Sequence, residues 1–594
     1  MSTLTKETKA QRVERLKREK NAWDHFDEIR EFARKGHSSI PAEWLGTYFR
    51  AWGIYTQGDG NGVVGGSGGE GKATPYFMVR IRIPNGLLTS QQVHTIANLS
   101  SEYGNGVADI TVRQNVQLHW VRIESIPDLL ERLYAVGLTT TGACGDVARN
   151  ITGCPLAGVH SHELLDIRPV VQALDKELGG NPEFYNLPRK FKITVTACPD
   201  WCSYPEINDI ALIATVRHNR HNSLARPSDP SEESLFDPSE GTHSHDTHSE
   251  VGFSVRVGGG LSTQPHLAVP LNAFVQQNQV IPVVRAITEL FRESDALRQS
   301  REKARLKYLF LEHGWTADSF LSALEARLGY SLDPAVPSEP PAQIHRDHLG
   351  VTPQKQPSLF SIGASVIRGR ITPEQLHLAA ELADRYGDGH VRNTPMQNLL
   401  LINIGGLNVP TVIAQLNAAG LPVETSAFVR GTVACSGSEF CKLALTETKS
   451  YARWLTEQLE DRFPNYQQDL RLHITGCPNS CGQHWIADIG IEGKKIKSNG
   501  KMVDAYYFCV GGSVGQIASI ARPVGYRCAS DEVPAAIGRL LDYFHQSREA
   551  GEPLQKFLAR HNTETLRGIL AGGPTEIAER DLVTAATPHS VEDR

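Results

Sequence analysis

The chain has 594 residues, 40% of them hydrophobic and 21% charged, with a net charge of -6, a composition that excludes a disordered or fibrous protein. A chain of this length is expected to form roughly three or four domains of ~150 residues, enough to bury a large cofactor. The mildly acidic balance gives no support for nucleic-acid binding, and no run approaches the ~20 apolar residues of a membrane span.

Residues 1–70 form a charged N-terminal arm without the apolar centre of a secretory signal, which points to the cytoplasm. In that reducing compartment the ten cysteines read as ligands or reactive thiols before disulfides. Residues 82–138 then match residues 365–421 at a constant offset of 283, with Gly86/Gly369, Thr89/Thr372, Gly104/Gly387, Gln114/Gln397 and Gly137/Gly420 in register. Each copy reads as strand, turn, amphipathic helix, strand and a second helix ending at glycine. The fold class is therefore α+β, built from duplicated halves whose pseudo-twofold interface is a natural place for a large central ligand.

The expected layout is the arm (1–70), a first repeat half (71–170), a first module (171–345), a second repeat half (346–430) and a cysteine-bearing module (431–594). Within the first module, residues 221–250 are rich in Pro, Ser and acids and read as a surface loop insertion. Its histidines, His243, His245 and His248, read as solvated. A looser echo pairs ITVTACPDWCSYPEINDI (193–210) with LHITGCPNSCGQHWIADI (472–489), each a Cys-Pro-x-x-Cys after an alternating strand with Asp-Ile at the same distance beyond. The pair Cys198/Cys202 reads as a relic that lacks a matching second pair, and Cys154, Cys509 and Cys528 have no assigned role.

Cys435, Cys441, Cys477 and Cys481 stand in a C-x5-C, x35, C-x3-C arrangement. Four thiolates suit a soft metal centre, an iron-sulfur cluster or zinc. Structural zinc favours tight C-x2-C knuckles, and these longer arcs leave room for a cubane. Ser436 and Ser438 are expected to cap the helix running through KLALTETKSYARWLTEQLEDRF. Away from the cysteines, cations recur at Arg80, Arg113, Arg149, Arg189, Lys190 and Lys192, and strand alternation would place Lys190 and Lys192 on one face. No strand-anchored G-x-G-x-x-G is present, so the sequence offers no flavin or nicotinamide module of that kind. The segment IEGKKIKSNGK offers Lys494, Lys495, Lys497 and Lys501 as a basic patch for an acidic carrier.

The paired motifs SGSEFC and TGCPNSCGQ, with ADIG beyond and the repeats around them, resemble the assimilatory sulfite and nitrite reductase hemoprotein family over nearly the whole chain. The resemblance implies a [4Fe-4S] cluster on the four cysteines, with Cys481 shared with siroheme. It implies oxyanion binding and proton delivery by Arg80, Arg149, Lys190 and Lys192. Siroheme contacts would come from Thr111, Arg113, Gln117, His119, Arg189, Gln397 and Asn479. The implied protein is a monomer that takes electrons from ferredoxin to reduce sulfite or nitrite. Lys192, where nitrite enzymes often carry Asn, favours sulfite. So do Tyr55 in GIYTQ and Cys144 in TTGACGD, which match a Tyr-Cys pair joined covalently in a ferredoxin-dependent sulfite reductase subgroup. The cysteine loops themselves read at least as much like nitrite reductases. The alternative from another class is a non-catalytic metal-binding scaffold.

Overall fold

The computed structural model describes residues 7–63, 69–218, 249–337, 340–342, 347–498 and 500–573. The expected loop 221–250 lies outside them apart from its last two residues, 249 and 250. Among the described residues no helix is long and apolar enough to cross a membrane.

Among the described residues, twenty strands fall into four groups of five along the chain. The first repeat contributes β1 (Ile54–Gly58), β2 (Ala73–Ile81), β3 (Leu87–Thr89), β4 (Ala108–Ile110) and β5 (Val116–Arg122). The first module contributes β6 (Thr152–Gly153), β7 (Ile193–Thr196), β8 (Ile210–His218), β9 (Ser249–Val257) and β10 (Val269–Val275). The second repeat follows with β11 (Gly350–Pro353), β12 (Leu359–Ala364), β13 (Arg370–Ile371), β14 (His390–Asn393) and β15 (Leu399–Gly405). The second module ends the series with β16 (Thr432–Ala434), β17 (Leu472–Thr475), β18 (Ile489–Ser498), β19 (Lys501–Val510) and β20 (Arg522–Ala529). Because β6 already belongs to the first module's sheet, that module begins before the expected boundary at residue 171.

The repeats exchange strands. The first sheet runs β1-β2-β5-β4-β13 and its counterpart β11-β12-β15-β14-β3, so each half completes the other's sheet. The local signals that build each copy are duplicated too. Thr89 and Gln92 form a capping box on the helix Ser90–Tyr103, and Thr372 and Gln375 form the same box on Pro373–Tyr386; both helices thereby satisfy N-terminal amides that have no partner within the helix. The two helices pack together, bringing the equivalent side chains His94 and His377 face to face, Nδ1 to Nδ1 at 2.6 Å. One apolar core is shared by both repeats, and each module has a separate core of its own.

The exchange depends on Gly86 and Gly369, immediately before β3 and β13. Both have positive φ (69° and 71°), and a Cβ there would meet Asn393 O at 2.4 Å and Ile110 O at 2.6 Å. Gly369→Ala should therefore cost about 1–3 kcal/mol and lower the unfolding midpoint in calorimetry. An unchanged midpoint would show that the exchanged strand tolerates a side chain.

Candidate functional site

β16, β17 and β18 run parallel, with Ala434 opposite Ile474. Parallel neighbours end at the same sheet edge, so the loops that follow β16 and β17 emerge side by side. Cys435 directly follows β16, and its Sγ accepts hydrogen bonds from Gly476 N at 3.2 Å and Thr475 Oγ1 at 3.9 Å. Asn479 Nδ2 donates to Cys477 Sγ at 3.5 Å. Cys441 follows a short helical turn, Gly437–Phe440, and its N–H donates to Gly437 O. Ser436 and Ser438 do not cap the long helix; it starts at Lys449, and the Glu447 carboxylate accepts from Ser450 N and Tyr451 N instead. The intervening turn returns the chain to the sheet before the helix can begin.

Burial, reinforced by the charge of Cys481, pushes the Cys441 thiol up to about 12 and raises Cys435 and Cys477 as well. Thiols in this position give up their protons only to a metal or a nearby cation. Cys477 is buried, Cys435 and Cys441 are half-buried, and Cys481 is exposed at the open side.

That open side faces the cations. Arg80 and Lys190 both lie within electrostatic reach of Cys481. Arg113 is pushed down to about 9 by burial and by Arg149, with Arg305 and Arg80 adding to the effect. Lys190 is pushed down to about 7 by burial and Arg305, and Lys192 well down by burial and Lys190. Among the described residues, Arg80, Arg113, Arg149, Lys190 and Lys192 have no carboxylate at ion-pair distance; the nearby acids are occupied, Asp209 by Arg305 and Asp146 by Arg301, Arg189 and Lys17. Cations left uncompensated in a recess make a ready site for a polyanion. The Nε of Arg113 is also buried without a hydrogen-bond partner.

Lys190 and Lys192 sit together, but not on a continuous strand. β7 starts only at Ile193, and Phe191 alone makes a bridge, to Ala148. Lys192 is fixed by its backbone N–H, which donates to Asp209 Oδ2 at 2.8 Å; Arg471 N donates in the same way to Asp488 Oδ2 at 2.6 Å in the second module. The Asp-Ile echo in the sequence is the trace of this shared anchor. Arg149 is held by the carbonyls of Gly145 and Ala143, and Arg113 by Asn208 Oδ1 and Asn150 O. Arg80 donates to Cys144 Sγ at 3.0 Å and lies 6.0 Å from the centre of the Tyr55 ring. Gln117 accepts from Arg80 at 2.6 Å and donates to Ser436 Oγ at 3.2 Å, which links the cationic wall to the loop of Cys435.

Two expected ligand contacts are turned inward. His119 has no exposed surface; it bonds Asp109 Oδ2 at 3.1 Å and stacks on Phe440 at 3.7 Å. Gln397 is buried, donates to Ile110 O and accepts from Ala434 N at 3.1 Å. Both side chains position the cysteine loop. Thr111 likewise accepts from the N–H groups of Arg113 and Asn115 and shapes the turn that carries Arg113. Asn479 is exposed beside Cys481.

The sequence reading missed Arg305, Arg301, Asp146 and Asp209. The first two sit in a charged stretch indistinguishable from a solvated surface. It also missed the role of the arm. The helix Lys9–Glu19 inserts Lys17 against Asp146 at 3.5 Å and closes one side of a cavity of about 420 Å3 lined by Tyr55, Arg189, Arg301 and Lys442, among others.

Burial alone would raise Asp146, but Arg301, Lys17 and Arg189 hold it far below the ordinary carboxylate range. The resulting stability is present above the unfolded value of ~3.9 and is lost as pH falls through the folded value. Asp146→Asn should cost about 3–5 kcal/mol at neutral pH by stranding buried cations. The gap from wild type should narrow progressively as pH falls below ~3.9, as read by denaturant titration across pH. A gap that does not change with pH would rule out this ion-pair account.

Comparison with known proteins gives a consistent picture. The nitrite and sulphite reductase 4Fe-4S domain model matches residues 144–332 and 425–571, and the nitrite/sulfite reductase ferredoxin-like half domain matches 70–136 and 352–419. The chain is 37% identical to a ferredoxin--nitrite reductase of Synechococcus elongatus (91% of this chain, 97% of that one). It is 35% identical to a sulfite reductase [ferredoxin] of Mycobacterium tuberculosis (93% and 95%). The solved structure of the Mycobacterium tuberculosis NirA protein superimposes with a TM-score of 0.83 at 34% identity, covering 93% of this chain and 97% of that one.

Proposed function

The chain belongs to the nitrite and sulfite reductase family, and from that premise we propose that it reduces sulfite to sulfide in the cytoplasm, as a monomer, with ferredoxin as electron donor. It is an oxidoreductase whose cofactors are siroheme and a [4Fe-4S] cluster. The observation that carries the proposal is the set of cations without carboxylate partners, Arg80, Arg113, Arg149, Lys190 and Lys192, grouped on the side of Cys481.

The residues fit both cofactors. Cys435, Cys441, Cys477 and Cys481 would hold the cluster, with Cys481 as the ligand shared with siroheme. The carboxylates of siroheme would match the excess of positive charge, with Arg113 and Arg189 as donors and Thr111, Gln117 and Asn479 as further contacts. Once bound, these groups would supply electrons, one at a time, to the oxyanion.

The chain's own contribution is charge and protons. Arg80 and Arg149 hold oxygens of the anion and stabilise charge as they depart, a preorganised electrostatic effect. Burial and the neighbouring cations push Lys190 down to about 7 and hold Lys192 well below the ordinary lysine range. An arriving anion raises both values and so draws protons in, loading the two ammonium groups as general acids. Binding and proton uptake are thereby coupled before any bond breaks.

Lys192, together with Tyr55 and Cys144 around Arg80, supports sulfite over nitrite; the 37% identity to a nitrite reductase favours the alternative, reduction of nitrite to ammonia. The deciding measurement is parallel turnover of both anions with reduced ferredoxin. Wild type should prefer sulfite in kcat/KM, and Lys192→Asn should lose ~10²-fold or more on sulfite with a smaller loss on nitrite. A wild-type preference for nitrite would overturn the assignment.

Ferredoxin docking is proposed on the β18–β19 hairpin, with a narrower patch than the sequence suggests. Lys494 pairs with Glu492 at 2.5 Å and Lys495 with Asp504, so the hairpin's net positive charge comes from Lys497 and Lys501. Reversing those two charges should raise KM for ferredoxin several-fold at low salt, and the effect should fade at high salt. A KM that is unchanged and insensitive to salt would remove the docking site.

A further inference from the structure

The cluster loop has a counterpart in the first module. β6 and β7 are parallel with Gly153 opposite Val195, as β16 and β17 are with Ala434 opposite Ile474. Cys154 follows β6 as Cys435 follows β16, and Cys198 lies three residues beyond Val195 as Cys477 lies three beyond Ile474. The supports are duplicated too. Gln114 accepts from Gly153 N at 3.0 Å, as Gln397 does from Ala434 N at 3.1 Å. Trp201 and Tyr204 take positive φ at the positions of Ser480 and Gln483. Cys198 and Cys202 therefore do have a partner in Cys154, which corrects their reading as an isolated relic. The position of Cys441 is taken by His160, which is committed to Asp200 at 3.3 Å.

The two constellations differ in spacing. Ligand atoms of Cys154, Cys202 and His348 all lie within 4.8 Å of one another, and these three residues are buried. Cys198 stands just outside that group of three, its Sγ 3.8 Å from Cys202 Sγ, and reaches a shared ion by turning its thiol toward it. Among the described residues, no three of the four cluster cysteines group so tightly, as suits thiolates on separate irons of a cubane. Tetrahedral zinc, with Zn–S bonds of about 2.3 Å, holds its sulfurs ~3.8 Å apart. His348 is presented by a left-handed backbone (φ 62°) whose carbonyl lies against β12, where a Cβ on Gly363 would meet it at 1.7 Å.

We propose that Cys154, Cys198, Cys202 and His348 bind a single zinc ion in a closed Cys3His site distinct from the iron-sulfur centre. The ion ties the β6 and β7 loops of the first module to the segment that leads into the second repeat. With all four positions taken by protein ligands, it is structural.

The test uses the intact holoenzyme. Mass-spectrometric metal analysis should find ~1 zinc per chain in addition to the cofactor iron, and zinc-edge X-ray absorption should give three sulfurs at about 2.3 Å and one nitrogen at about 2.0 Å. The double variant C154S/C202S should lose the zinc but keep the visible spectrum of the cofactors. Where that variant does not fold, absorption at the zinc edge of the wild type decides by itself. Holoenzyme free of zinc, a Cys198–Cys202 disulfide detected by mass, or zinc bound through oxygen and nitrogen only would each overturn the proposal.

Discussion

One buried carboxylate, Asp109, joins the three parts of the chain on which the site depends. It stands on β4 of the first repeat and bonds His119 at 3.1 Å, Arg370 of the exchanged strand β13 at 3.1 Å, and lies 3.6 Å from Lys449 at the start of the helix behind the cysteine loop. Burial works against its charge, but Lys449, His119 and Arg370 outweigh burial and keep it ionised. A buried network of this kind adds little net stability over apolar packing, but its contacts tie the three segments to one another. From Asp109 the chain of contacts runs through His119 to Phe440, and through Arg370 to Glu439, both in the turn that ends at Cys441.

The same economy of charge separates structure from chemistry around the recess. Acids that hold the scaffold, Asp109, Asp146 and Asp209, are saturated by cations of the scaffold. Among the described residues the arginines of the recess, Arg80, Arg113 and Arg149, have no acid at ion-pair distance, and backbone carbonyls or amide side chains hold them instead. Neutral anchors fix a guanidinium in place without neutralising it, so its full charge remains available to an anion.

Duplication explains where the scaffold came from and also how its halves diverged. Paired glutamines, paired capping boxes and paired aspartate anchors persist in both halves because each satisfies backbone groups that would otherwise be buried unbonded. The metal-ligating positions were freer to change. In the first module Cys154, Cys202 and His348 close to within 4.8 Å of one another, whereas among the described residues the four cysteines of the second module form no such group.

The sequence by itself determined the α+β repeats and the paired cysteine motifs of the family, because capping boxes, turn glycines and C-x3-C spacing act within a few residues. It could not determine which way His119 and Gln397 point, that Lys494 and Lys495 are neutralised, that Lys17 of the arm closes the cavity, or that Cys154 joins Cys198 and Cys202. Those outcomes depend on parallel strand pairing and on ion pairs between residues far apart in the chain, and such partners leave no periodic signal in the sequence that either one sits in.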